Sequence, residues 1–228
     1  MNGPVYYAKM LPSDTLLDGD IGKRPWQTVE AVQLVDTVTG NKPRQNTWAK
    51  FGWTGSHFWA AFHCEDTHIV AKHTEHDHKN LWTENVVEIF LDPLRLGHIY
   101  YELQVNCRNT GFDAIIHNAS GAEGVGAMGG MDCFTDWNPS SYQHAVTGKG
   151  KFNKRAESDE YWDVELRIAF SDLYMTGQSI PKSGDQWHLN AFRVDSGPWG
   201  QELYAWNPTM MANFHVSARF GIMEFAER

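Results

Sequence analysis

The stretch Ile99-Tyr100-Tyr101-Glu102-Leu103-Gln104-Val105-Asn106 decides the fold class. Ile99, Tyr101, Leu103 and Val105 fall on one side of an extended chain, and Tyr100, Glu102, Gln104 and Asn106 on the other, because successive strand side chains point to opposite faces. The same period of two recurs at Phe58, Ala60, Phe62 and Cys64. It recurs again where Trp162, Val164, Leu166 and Ile168 alternate with Tyr161, Asp163, Glu165 and Arg167. These segments read as half-buried antiparallel strands with one polar face. Further strand candidates occupy 29–35, 50–53, 86–91, 112–117, 143–146, 187–194, 202–206 and 220–225. Turn chemistry separates them, as at Asp18-Gly19-Asp20, Asp92-Pro93 and Asn207-Pro208,. No sustained helical stripe interrupts the pattern; 169–173 offers one turn at most. About ten short strands without an internal repeat predict an all-β chain, a single antiparallel β-sandwich with jelly-roll-like connections.

The 228 residues suit one domain, 1–228, with the glycine-rich stretch 120–130 as a mobile loop inside it,. Nineteen basic against 28 acidic residues give a formal charge of −9, which argues against nucleic acid or an anionic membrane as partner. No apolar run approaches the roughly 18 residues of a membrane span. Met1-Asn2-Gly3-Pro4 lacks a basic-then-apolar leader pattern,. The expectation is a secreted or extracytoplasmic mature domain, with a cytoplasmic location as the alternative. Cys64, Cys107 and Cys133 are too few and scattered for a disulfide framework, so buried free thiols are expected,. Aromatic residues reach 13%, which suits both a β core and flat platforms for sugar rings.

Histidine is dense between His57 and His78, and His73, His76 and His78 offer imidazoles to a transition metal,. The plainer account is a polar loop, since no helical H-E-x-x-H supports ligation. A calcium site needs oxygen ligands instead, and Asp66 and Asp77 flank the same loop,. Glu84, Glu88, Glu102 and Glu165 supply carboxylates for glycoside hydrolysis, but spacing along the chain fixes no separation between them. Met210 and Met211 near His215 raise a haem ligand pair, without the C-x-x-C-H of covalent attachment,. The most informative run is Trp82-Thr83-Glu84-Asn85-Val86-Val87-Glu88-Ile89-Phe90-Leu91-Asp92-Pro93. It sets an indole at a strand's mouth and a carboxylate six residues on, a flat apolar surface beside a hydroxyl acceptor.

The order of several motifs resembles carbohydrate-binding module family 9, within the wider DOMON-like sandwiches. The motifs are Leu17-Asp18-Gly19-Asp20-Ile21, the aromatic strand at 58–66, the run from Trp82 to Pro93, and Tyr100 to Asn106. They continue through Tyr161-Trp162-Asp163-Val164-Glu165-Leu166, Asn190-Ala191-Phe192-Arg193, Ala205-Trp206-Asn207-Pro208 and Asn213-Phe214-His215. The likeness spans about 18–225. It implies a calcium-containing sandwich that grips a glycan end between two aromatic rings without transforming it, as part of a polysaccharide-degrading system. Trp82 matches the first ring and Glu88 the carboxylate after it. Gln104 stands where a branch of the family has Arg, and Phe214 or His215 where the second ring is normally Trp. The implied hydrogen-bonding set is Glu88, Gln104, Asn106, Arg193 and Asn213, with Trp206 at the mouth or packed inside. The family's calcium sites do not map cleanly onto this sequence, so Asp66 and Asp77 are carried as candidate calcium ligands on their place flanking the histidine-rich loop alone,. The expected partner is an oligosaccharide or polysaccharide, and the chain leans away from being an enzyme. The rivals are a hydrolase or His-metal oxidase on the same fold, and a haem-binding redox domain.

Overall fold

The computed structural model describes residues 3–13, 15–119, 130–153 and 159–227. The expected loop at 120–130 lies outside them except for Gly130. Among the described residues the strands are β1 (Val5–Met10), β2 (Val32–Gln33), β3 (Val35–Asp36), β4 (Thr47–Trp53), β5 (His57–Glu65), β6 (Val86–Asp92) and β7 (Ile99–Asn106). They continue as β8 (Gly111–Asn118), β9 (Met131–Phe134), β10 (Gln143–Lys149), β11 (Tyr161–Ala169), β12 (Gln186–Gly197), β13 (Gly200–Ala205) and β14 (Gly221–Ala226). The alternating segments are strands as expected. The segment 169–173 forms one short turn, Phe170–Asp172.

Pairing runs β10-β11-β5-β4-β1-β14-β12-β6-β7-β8-β9. The all-β expectation holds; the purely antiparallel one does not. β1 pairs in parallel with both β14 and β4, because it enters between two strands that run in its own direction. The sheet is therefore mixed, and β1 joins its two halves.

One core lies between those halves. Phe58, Phe62, Val164 and Leu166 from one side share a buried cluster with Val87, Ile89, Leu103 and Ala191 from the other. Each large side chain so removed from water contributes about 1.5–3 kcal/mol. A second buried cluster, with Val86, Phe90, Tyr100, Ile116, Phe192 and Val194, covers the outer face of β6, β7, β8 and β12. The expected half-buried strands with a polar outer face are thus corrected for β6 and β7: every residue of β6 is buried. Loops lie over that face, and Glu88, Glu102 and Gln104 are enclosed beneath them. Cys64 and Cys107 are buried free thiols, whereas Cys133 is exposed.

Candidate functional site

A segment from Lys72 to Thr83 crosses from β5 to the outer face of β6 and is strapped down by side chains. Glu84 accepts the backbone N–H of Lys72 at 2.6 Å, and Asn85 donates to the carbonyls of His68 and Val70. Asn106 donates to the carbonyl of His73 at 2.9 Å and to Glu84 at 2.8 Å. The strap ends in a single turn, Leu81–Thr83, which leaves Trp82 51% exposed.

Beneath Trp82 lies a cavity of about 530 Å³. Its floor is the outer face of β6 and β7, with Glu88, Glu102 and Gln104. Phe112, Ile116, Val194 and Leu203 make apolar walls, and Asn213, Phe214 and His215 close one side. The floor is rich in unused acceptors. Gln104 donates to Glu102, but Glu88 Oε1 and Gln104 Oε1 have no partner and no exposure. Burial, with the charge of Glu102 second, pushes Glu88 well above the usual carboxylate range. Burial pushes Glu102 up to about 7, against the opposing hydrogen bond from Gln104. An unpaired buried acceptor costs about 1–3 kcal/mol, and a ligand that donates hydrogen bonds recovers that cost. A larger cleft of about 1040 Å³ opens where Thr67 to His73 meets Ser196 to Pro198. Its carboxylate, Glu84, is already spent on the strap.

Trp82, Glu88, Gln104, Asn213, Phe214 and His215, read from the sequence, all meet at the cavity. Trp82 alone among these rings presents an open face. Phe214 is 9% exposed and stacks on Phe192 at 4.2 Å between centroids. His215 stacks on Phe90, and its Nδ1 is 2.8 Å from the Tyr100 hydroxyl. Burial pushes His215 down to about 4, so at neutral pH the ring is uncharged, while Met210 is largely exposed.

Two expected ligand contacts are corrected, and a third residue resolves between its two alternatives. Arg193 is fully buried on the core side, 3.1 Å from Asp66 and 3.5 Å from Asp195, and donates to Thr47 and the Glu65 carbonyl. Asn106 is consumed by the strap and by the N–H groups of Arg108 and Thr110. Of the two places expected for Trp206, the mouth or the interior, it takes the interior, against Tyr6 and Phe51. Glu102, Phe112, Ile116 and Asn118 line the cavity without having been assigned to it. For Glu102 the signal was present, since it shares strand parity with Gln104.

Asp66 and Asp77 do not come together. Asp66 is buried, accepting from Trp162, Arg193 and the His68 N–H, so its oxygens are already used. Asp77 instead sits with His76 and Asp113, the one group of three metal-competent side chains among the described residues. His73 and His78 stack on each other at 3.6 Å, apart from that group.

A family model, carbohydrate-binding family 9, matches residues 14–225. No curated protein matches the chain. Among solved structures, a Bacteroides uniformis ATCC 8492 protein, provisionally described as carbohydrate-binding, is similar with TM-score 0.73 and 15% identity, over 98% of this chain and 100% of its own. A family 9 carbohydrate-binding module from Caldicellulosiruptor kristjanssonii in complex with cellotriose gives 0.65 and 16%, over 98% and 94%. A family 9 module from the same organism in complex with glucose gives 0.63 and 15%, over 97% and 96%.

Proposed function

The chain belongs to carbohydrate-binding family 9, and from that premise we propose that the cavity beneath Trp82 holds the end of an oligosaccharide or polysaccharide without transforming it. The observation that carries this reading is an exposed indole set over a floor of unpartnered buried acceptors. A sugar ring matches both parts. Its axial C–H groups lie on an aromatic face, and its hydroxyls hydrogen-bond to carboxyl and amide oxygens. Trp82 is the platform and Phe214 the opposing wall. Glu88, Glu102 and Gln104 receive hydroxyls, and Asn213 contributes from the side. The complexes of similar modules with cellotriose and glucose support a saccharide of this size. In this reading the domain serves polysaccharide degradation outside the cytoplasm.

The test is a glycan-array screen followed by calorimetry on the best ligand. Stacking contributes about 1 kcal/mol or more beyond area burial, so Trp82→Ala is expected to weaken binding about fivefold or more. Unchanged affinity removes Trp82 from the site, and the absence of any glycan ligand sinks the reading. Glu88 and Glu102 also form a buried carboxyl pair, the one feature that favours a hydrolase. Product analysis after incubation with the bound glycan decides between them, since turnover lost in Glu88→Gln would replace binding with catalysis.

A further inference from the structure

We propose that His76, Asp77 and Asp113 bind a divalent transition metal of the zinc class, and that the ion fastens the root of the strap carrying Trp82 to β8. His76 Nε2 lies 3.1 Å from Asp113 Oδ1 and 3.5 Å from Asp77 Oδ1. One ligand atom from each residue lies within 4.8 Å of the others. Small side-chain rotations close that spread onto one ion at bonds of roughly 2.0–2.2 Å. His76 and Asp77 are partly open to solvent, with side-chain exposures of 50% and 21%, which leaves an entry path and freedom to adjust.

Asp113 supplies the independent observation. Its side chain is 1% exposed, yet Oδ2 has no hydrogen-bond partner. A buried carboxylate beside a second carboxylate, with one oxygen unused, is costly unless a cation neutralises it. The half-exposed imidazole of His76 meets only part of that demand. Close packing around the imidazole also needs Gly111, because a Cβ there would stand 3.3 Å from His76 Nδ1 and 2.5 Å from His144 Nε2. The donor set selects the ion. Calcium takes six to eight oxygens, whereas one imidazole nitrogen and two carboxylates suit zinc, with water completing the shell.

The position gives the ion a role. Asp77 already donates its N–H to the Gly111 carbonyl at 3.1 Å and accepts the Asp113 N–H at 3.2 Å. Asp113 alternates with Phe112 and Ala114, which belong to the cluster on the cavity side, so it faces the other side of β8. The strap therefore passes from this group to the cavity rim at His78, Lys79 and Trp82. An ion at its root restrains the segment that presents the indole. The metal site stands on its own residues; only its effect on sugar affinity rests on the carbohydrate-binding reading.

The experiment titrates zinc, and separately calcium, into chelator-stripped full chain by calorimetry and native mass spectrometry, with no sugar present. Hydrogen exchange of residues 73–83 is followed with and without zinc. Expected are one zinc per chain, at least tenfold weaker binding in Asp113→Asn and in His76→Ala, and zinc-dependent slowing of exchange that both variants lose. His76→Ala, at a half-exposed position, keeps the test valid if Asp113→Asn fails to fold. No stoichiometric zinc, zinc binding unchanged in His76→Ala, or calcium bound in preference to zinc each overturns the proposal. A chain that binds zinc as expected but no glycan separates failure of the carbohydrate reading from failure of this one.

Discussion

Glu88 and Glu102 share the cavity floor and are both buried, and their protonation sets a pH dependence. In the unfolded chain both ionise near the ordinary value of about 4.3. In the folded chain burial holds Glu102 up to about 7 and Glu88 well above its usual range. Between those limits the unfolded state has released protons that the folded state keeps, so stability falls as pH rises. Each such group contributes a slope on the order of 1 kcal/mol per pH unit. Glu102→Gln is expected to flatten the decline between about pH 4.5 and 7, and to leave the protein more stable than the parent at pH 8. Urea midpoints across that range check it, and parallel profiles for parent and variant refute it. Strand parity made this floor legible, since Glu88 lies across the pair from Gln104 and one step from Glu102. The same rule, applied to β12, would have withdrawn Arg193, because it alternates with Asn190 and Phe192 and falls in with Leu189 and Ala191 on the core side. What parity does not reveal is satisfaction. Asn106 has floor parity, yet it sits where the chain turns, and backbone groups of 73, 108 and 110 consume its amide.

At the scale of elements, the turn Leu17-Asp18-Gly19-Asp20-Ile21 finds its reason in one carboxylate on β11. Glu165 is fully buried and accepts the N–H groups of Asp18 and Gly19 at 2.9 and 3.1 Å, Lys23 Nζ at 2.8 Å and Trp26 Nε1 at 2.7 Å. Two motifs far apart in the sequence are thus one structural unit, with no part in the cavity. Removing the acceptor strands four donors, one of them charged, and breaking a buried pair costs about 3–5 kcal/mol. Glu165→Ala is expected to lose stability of that order by chemical denaturation, and Glu165→Gln to lose less because it keeps an acceptor for Trp26. A Glu165→Ala change within about 0.5 kcal/mol of the parent, the range of neutral surface substitutions, would refute the anchor. The element pattern was readable wherever one face is apolar and the other is not. It was unreadable in β1, where Val5-Tyr6-Tyr7-Ala8 is apolar on both faces, and in β9, an edge strand with mostly exposed residues. The expected strand at 29–35 is split because the chain changes partners there: Val32 and Gln33 pair with β4, whereas Val35 and Asp36 pair with β13.

At the scale of the molecule, the parallel seam decides whether the two halves act as one. β1 is bonded to β14 from Val5 to Lys9 and to β4 at Lys9 and Met10, so the early and late chain segments close the sheet together. Such long-range parallel pairing leaves no local sequence signature, which is why composition and period gave the class but not this connection. Tyr6 locks the seam. It is 3% exposed, packs edge-on against Phe51, and its hydroxyl donates to the Glu30 carbonyl at 2.7 Å while accepting the Phe51 N–H at 3.0 Å. Tyr6→Phe keeps the ring and orphans the buried Phe51 N–H, at a cost of about 1–3 kcal/mol. Tyr6→Ala adds a cavity, for a loss of about 3–5 kcal/mol in all. Because one continuous core fills the space between the halves, both variants are expected to unfold in a single transition at lower denaturant, with tryptophan fluorescence and far-ultraviolet dichroism coincident. An unchanged midpoint in Tyr6→Ala would show that β1 does not hold the seam. Two separated transitions would show that each half carries its own stability, and the sheet would then be two units joined at β1.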